Sequence, residues 1–317
     1  MFIEHNPHSF LTGDYPFLLM VQVDASAGRF EAEIVFELHH EGVIGLPHGG
    51  VAMGLCLDAW RRFGHPLYPV DVSFKFGGSG ISIGEKVSFA VERDPADNGM
   101  NLVARITKTG DKRPYLRAEI RPAGIIAQKG PVLPPPAGEP RKLPYYRNCF
   151  VCGHHRAVAG LQRRFRIHAY NGSTVITTPW GPDTDDVDRA QLFLIGKREL
   201  HPAVIISIFD ENTGWAGFMA TKGAGLTVRM EFTLLRPVSD SEKLLFVSRP
   251  AGIKGNPRAP RFFIAEGTVL SMIDPGNPEP VAYGRGEWII LDQYTEQIKK
   301  NLLPVDDWEW IFWDNQD

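Results

Sequence analysis

The chain is poor in cysteine, has no long apolar run and carries little excess charge of either sign. Three cysteines, Cys56, Cys149 and Cys152, occur in 317 residues. That odd, sparse set cannot staple a secreted chain of this size, so a reducing compartment is expected, the cytoplasm by default. No stretch approaches the ~20 consecutive apolar residues that span a bilayer. The first residues, MFIEHNPHSFLTGDY, also lack a basic segment followed by an apolar one, so no membrane partner is expected. With 34 basic against 37 acidic residues, the formal net charge is −3. No global field attracts nucleic acid, and a phosphate-bearing ligand would have to meet a local basic cluster. What is plentiful is apolar material, 43% of residues, enough for a sizeable core, with 32 glycines and 25 prolines to turn the chain.

The length fits two ordinary domains, and the sequence has a repeated order. Alternating segments such as FEAEIVFEL read as strands. They give way at His48 to HGGVAMGLCLDAWRRF, which lacks the alternation and reads as a helix. Strand texture returns at VDVSFKF, KVSFAVER, NLVARITKT and PYLRAEIR. The second half repeats the order: TVITTPW, a helix in HPAVIISIFDENTGWAGFMA, then LTVRMEFTLL, KLLFVSRP, FFIAEGTVLSMID and AYGRGEWIIL. Between them the Pro-rich stretch 122–148 reads as an extended linker. The division is residues 1–121, a linker at 122–148, a second domain at 149–291 and an acidic, Trp-rich tail at 292–317. Each domain is one helix wrapped by about five antiparallel strands, an α+β arrangement.

Placing His48 on His201 puts Asp58 on Glu211, which duplication explains most simply. Three segments then carry a resemblance: Cys149-Phe150-Val151-Cys152-Gly153 with Gly160-Leu161, the run from His201 to Glu211, and FTLLRPV ending at Val238. In order and spacing they resemble the phenylacetate-pathway type of hotdog-fold acyl-CoA thioesterase. The run from His48 to Asp58 is similar to the same family's helix start. The resemblance implies two tandem hotdog units and an acyl-CoA or related thioester as partner, with no cofactor beyond the CoA of the substrate.

In that family the glycine after the His supplies an N–H to the thioester carbonyl, and a carboxylate nine residues after the His acts as base or nucleophile. The two come from opposite subunits. Both parts suit the chemistry, since a helix N-terminus is a preorganised donor for a developing oxyanion and a carboxylate can activate water. Carried over, the first half has Gly49 as donor but Leu57 where the acid should be, with Asp58 one residue late. The second has Asp210 as acid but Pro202, without an N–H, in the donor position. Gly49 and Asp210 together would make one complete site; Pro202 and Leu57 would make a dead one. Glu211 stands in reserve for Asp210, because a one-residue error in helix phase would exchange them. His48 and His201 are expected to make hydrogen bonds where the helices begin, with Gly50 and His201 near the substrate. The family's amide residue upstream of the His has no match, which leaves a non-catalytic acyl-thioester binder as the alternative.

Cys149-x-x-Cys152-Gly153-His154-His155 invites a zinc reading, but the second ligand pair of a zinc ribbon is missing, so a structural loop is preferred to metal or redox use. Cys56, between Leu55 and Leu57, reads as a small buried hydrophobe. Lys254, Arg258 and Arg261 form a basic cluster suited to a CoA phosphate. Asp183, Asp185, Asp186 and Asp188 read as an exposed loop. The tail carries Trp308, Trp310, Phe312 and Trp313, an aromatic surface expected to dock on its own body or on a second copy of the chain, so a homodimer is left open.

Overall fold

A computed structural model describes residues 28–65, 68–94, 100–124, 132–156, 160–170, 173–181, 193–195, 198–256, 258–303 and 305. The first unit holds β1 (Arg29–Val35), α1 (Gly49–Arg62), β2 (Val70–Phe76), β3 (Lys86–Arg93), β4 (Leu102–Lys108) and β5 (Leu116–Pro122). The second holds the short β6 (Arg141–Lys142) and β7 (Tyr145–Tyr146), then β8 (Arg166–Tyr170), β9 (Ser173–Trp180), β10 (Leu194–Ile195) and β11 (Glu199–Leu200). It continues with α2 (Pro202–Thr221), β12 (Gly225–Leu234), β13 (Leu244–Asn256), β14 (Ala259–Ser271) and β15 (Glu279–Ile290). The chain then forms α3 (Asp292–Asn301) and β16 (Leu302–Leu303).

The strand order repeats. The first unit runs β1-β3-β4-β5-β2 and the second β9-β13-β14-β15-β12, joined where β2 pairs antiparallel with β12. With β8 and β6 on the far edge this makes one 12-stranded sheet. The period-two pattern sets its faces. In β5, Leu116, Ala118 and Ile120 are buried under the helices while Arg117, Glu119 and Arg121 face out. Each helix lies in the trough of its sheet and against the other helix, so both are buried nearly all round, which explains their apolar composition. No described helix is long and apolar enough to cross a membrane.

Small residues let the helices meet. A Cβ on Gly50 would lie 2.2 Å from the Ser207 Cα, and one on Gly54 would lie 2.3 Å from the Ala203 Cβ. Under the duplication Gly50 corresponds to Ala203 and Gly54 to Ser207, so these two contacts are one contact repeated.

Two stretches carry contacts that the sequence expectation did not specify. The described part of the linker is not free: Leu133 N–H donates to Thr268 Oγ1, Leu143 N–H to Phe165 O, and β6 extends the sheet edge. The following residues also reach back to the first unit, with Phe150 N–H donating to Glu41 O and Ile44 N–H to the Tyr146 hydroxyl. The segment from 292 is not simply a tail. It opens with α3, and β16 pairs with β7. Trp308, Trp310, Phe312 and Trp313, and the acids Asp183, Asp185, Asp186 and Asp188, lie outside the described residues.

Candidate functional site

The two helix starts are built alike. His48 and His201 occupy the N-cap positions, where the Nδ1 of each accepts the N–H two residues on, Gly50 for His48 and Ala203 for His201, both at 3.0 Å. Each ring then turns its other nitrogen to an acid of the opposite helix. His48 Nε2 lies 3.4 Å from Glu211 Oε2, and His201 Nε2 lies 3.6 Å from Asp58 Oδ1. These pairs are related by the duplication. The positions that break the symmetry are the neighbouring ones, Gly49 against Pro202 and Asp210 against Leu57.

Gly49 and Asp210 come together. A Cβ on Gly49 would approach Asp210 Oδ2 to 2.9 Å, so glycine keeps the helix start open beside the carboxylate. The Gly49 N–H is at the first helical position, where no intrahelical acceptor exists, and no described group takes it. Asp210 Oδ1 accepts from the Thr227 hydroxyl at 2.9 Å. Burial pushes the Asp210 pKa up, and His48, the Thr227 hydroxyl and the Gly50 N–H only partly offset it.

Next to this pair is a second group, which the sequence reading did not place. Cys149 Sγ is 3.0 Å from Glu211 Oε2 and accepts the N–H groups of Val151 at 3.3 Å and Cys152 at 3.5 Å. Ligand atoms of His48, Cys149 and Glu211 all lie within 4.8 Å of one another, the one metal-compatible group among the described residues. Burial and then the neighbouring Cys149 charge push Glu211 up to about 8. Burial also opposes the Cys149 thiolate, but Cys152 and His48 outweigh it and hold the thiol well below its ordinary range. Burial likewise opposes charge on His48, while Cys149 and Glu211 press its pKa up to about 10. A second proton, however, would face the Gly50 N–H that Nδ1 now accepts. In the neutral ring the proton therefore sits on Nε2, facing Glu211 Oε2.

All of these groups line one cavity of about 300 Å³ at the junction of the two units. Its floor is Gly49, His48, Asp210, Glu211, Cys149 and Thr227, and its walls include Phe76, Ile81, Tyr115, Trp215, Phe218 and Trp288. Tyr294, Ile298 and Leu302 of the carboxy-terminal segment also contribute. No side-chain amide is among the described lining residues.

Several expected residues lie elsewhere. Asp58 and His201 do not line the cavity: Asp58 is fully buried, and its Oδ1 faces both His201 and Arg61, each at 3.6 Å. Gly50 serves the helix contact and the cap rather than the cavity wall. Lys254, Arg258 and Arg261 do not line it either. Lys254 pairs with Glu287 at 2.7 Å, and strand alternation puts Glu287 on the face opposite the cavity residue Trp288. The lining cation is Lys299, which is 3.6 Å from Glu296.

No protein-family profile and no curated protein matches the sequence. Solved structures do. The TesB protein of Mycobacterium avium subsp. paratuberculosis is 17% identical with a TM-score of 0.54, over 87% of this chain and 97% of that one. A candidate thioesterase of Novosphingobium aromaticivorans is also 17% identical, TM-score 0.54, over 86% of this chain and 98% of that one. An isomerase-inactive variant of GphF DH1 matches at 12% identity and a TM-score of 0.51, over 87% of this chain and 96% of that one. One fold thus serves differently described proteins, and chemistry has to be argued from the site. What the likeness shows is the architecture: the chain is an α+β tandem hotdog protein, two hotdog units in one polypeptide, with a thioesterase-like fold.

Proposed function

We propose that the chain hydrolyses an acyl-thioester, an acyl-CoA in the first instance, at one composite site between its two units. The observation that carries this is the meeting of Gly49 and Asp210, each from the half that lacks the other's counterpart. The thioester carbonyl oxygen would accept from the Gly49 N–H, aided by the positive end of α1, as negative charge develops on it. Asp210, its affinity for a proton raised by burial, would take one from the attacking water. The apolar walls would hold the acyl chain. A volume of about 300 Å³ admits that chain and leaves the CoA nucleotide at the mouth, where Lys299 replaces the basic cluster first expected to meet its phosphates. No cofactor enters this chemistry.

The pseudo-equivalent pair, Pro202 and Leu57, has neither donor nor acid and takes no part. The test is a panel of short, long and aromatic acyl-CoAs with free-thiol detection, beside calorimetry of the same ligands. Thiol release that saturates with substrate is expected. Binding of an acyl-CoA without thiol release would replace hydrolysis by the acyl-thioester binder.

A further inference from the structure

The Gly49 and Asp210 chemistry makes no use of the sulfur beside it, yet Cys149 lies in the cavity floor with polar groups converging on it. Two are backbone N–H groups, of Val151 and Cys152, fixed by the tight turn of Cys149-Phe150-Val151-Cys152. That turn is closed by the Gly153 N–H donating to Cys149 O at 2.8 Å. The third polar neighbour is His48, with a ring nitrogen within 4.8 Å of the sulfur and Nε2 3.4 Å from Glu211 Oε2. The fourth neighbour, Glu211, is 3.0 Å from the sulfur. The Cys149 S–H donates to this carboxylate, which can therefore take the thiol proton and hold it. Two backbone donors on the sulfur and a carboxylate placed to take its proton favour a thiolate, the nucleophilic form of cysteine.

We infer that Cys149 is an acyl-accepting nucleophile, and that the cavity transfers the acyl group from its thioester to this sulfur before water releases it. The inference rests on the proposed hydrolysis and adds a covalent intermediate to it. In the first step the Cys149 thiolate adds to the acyl carbonyl carbon, a carbon–sulfur bond to Cys149 forms, and the bond to the substrate's sulfur breaks. The departing thiolate takes the proton held by Glu211. One thioester replaces another, so the exchange is close to balanced in energy. In the second step Asp210 takes a proton from water, the hydroxide adds to the same carbonyl carbon, and Cys149 leaves as thiolate. The proton on Asp210 then returns to Glu211. The sum is thioester plus water giving acid plus thiol.

A zinc ion on His48, Cys149 and Glu211 is the competing use of the same atoms. The 3.4 Å His48–Glu211 edge matches the ~3.4 Å N···O edge of a tetrahedral zinc site, while the 3.0 Å Cys149–Glu211 edge is shorter than the ~3.6 Å such a site needs. Zinc would also take the Nε2 that carries the His48 proton and force the other proton against Gly50. A thiolate needs no such rearrangement.

The experiment is intact-mass and peptide-map analysis of the full chain after mixing with acetyl-, hexanoyl- and phenylacetyl-CoA. The Asp210→Asn variant, slow in the second step, is expected to accumulate one acyl group per chain, located on Cys149. Rapid acid quench of the wild-type chain should show the same adduct at lower occupancy, which keeps the test open should the variant not fold. Cys149→Ser should show no adduct and at least a 100-fold lower turnover. Hydrolysis by the wild type with no adduct in either sample, and a Cys149→Ala variant within threefold of wild type, would overturn the nucleophile while leaving the hydrolysis. An adduct on Cys149 without turnover in the wild type would overturn the hydrolysis and keep the exchange. Stoichiometric zinc in the purified chain, lost in Cys149→Ser, would also overturn it, since the sulfur would then be a metal ligand.

Discussion

At the scale of single residues, the cavity floor is set by buried groups that hold protons differently from their solvated counterparts. Glu211 is the clearest. The folded carboxyl keeps its proton up to about 8, against 4.5 when solvated. Between those values the folded state binds more protons than the unfolded one, so this residue's contribution to stability is complete at low pH and is lost as pH rises through the window. Glu211→Gln removes the titration but keeps the shape. The melting temperature of the variant relative to wild type is therefore expected to rise steadily from pH 5 to pH 8. A constant difference across that range would mean that Glu211 does not titrate there. Asp210 and Gly49 were named in the sequence because the family resemblance implies a donor one residue and an acid nine residues after the His. Cys149 and Thr227 were not, since each reaches the floor from a different segment of the chain, and local periodicity carries nothing about that meeting. Lys254, Arg258 and Arg261 misled for the opposite reason: a basic cluster in sequence says nothing of which sheet face it occupies, and strand alternation turned Lys254 outward.

At the scale of elements, the crossing of α1 and α2 decides whether the floor exists. The helices touch at Gly50 against Ser207 and at Gly54 against Ala203, where an added methyl group would fall within 2.3 Å of an existing atom. At Gly50 the nearest such atom is backbone, so relief requires moving a helix. Gly50→Ala is expected to destabilise the fold by about 1–3 kcal/mol, typical of overpacking, although alanine favours helix. Chemical denaturation measures it, and an unchanged or higher stability would show that the helices have room to part. The two long helices and the main strands were legible, the strands from their apolar alternation and the helices from apolar runs without it, whereas the two-residue strands β6, β7, β10, β11 and β16 were not. Nor was the start of the tail. The run from Asp292 to Asn301 is polar on most sides, and only packing shows that Thr295 and Ile298 are its buried points. That helix brings residues to the cavity wall, which a reading of composition as an acidic tail had missed.

At the scale of the whole molecule, the architecture is a unit repeated about a pseudo-twofold axis. Two copies of a five-stranded unit share a continuous sheet through β2 and β12, and each helix start presents its His to an acid of the other helix. Beside this preserved symmetry, Pro202 and Leu57 stand at the positions that Gly49 and Asp210 occupy in the other half, and the proposed function gives the work to Gly49 and Asp210. The central claim is that one asymmetric site does the work, and it is tested by comparing Asp210→Asn with Asp58→Asn. Steady-state thiol release from an acyl-CoA is measured for each, normalised to folded protein. Asp210→Asn is predicted to lower kcat/KM by about 10²–10⁴-fold, the range for loss of a general base. Asp58→Asn, outside the cavity, should stay within threefold of wild type. Full activity in Asp210→Asn, or equal losses in the two variants, would contradict the account.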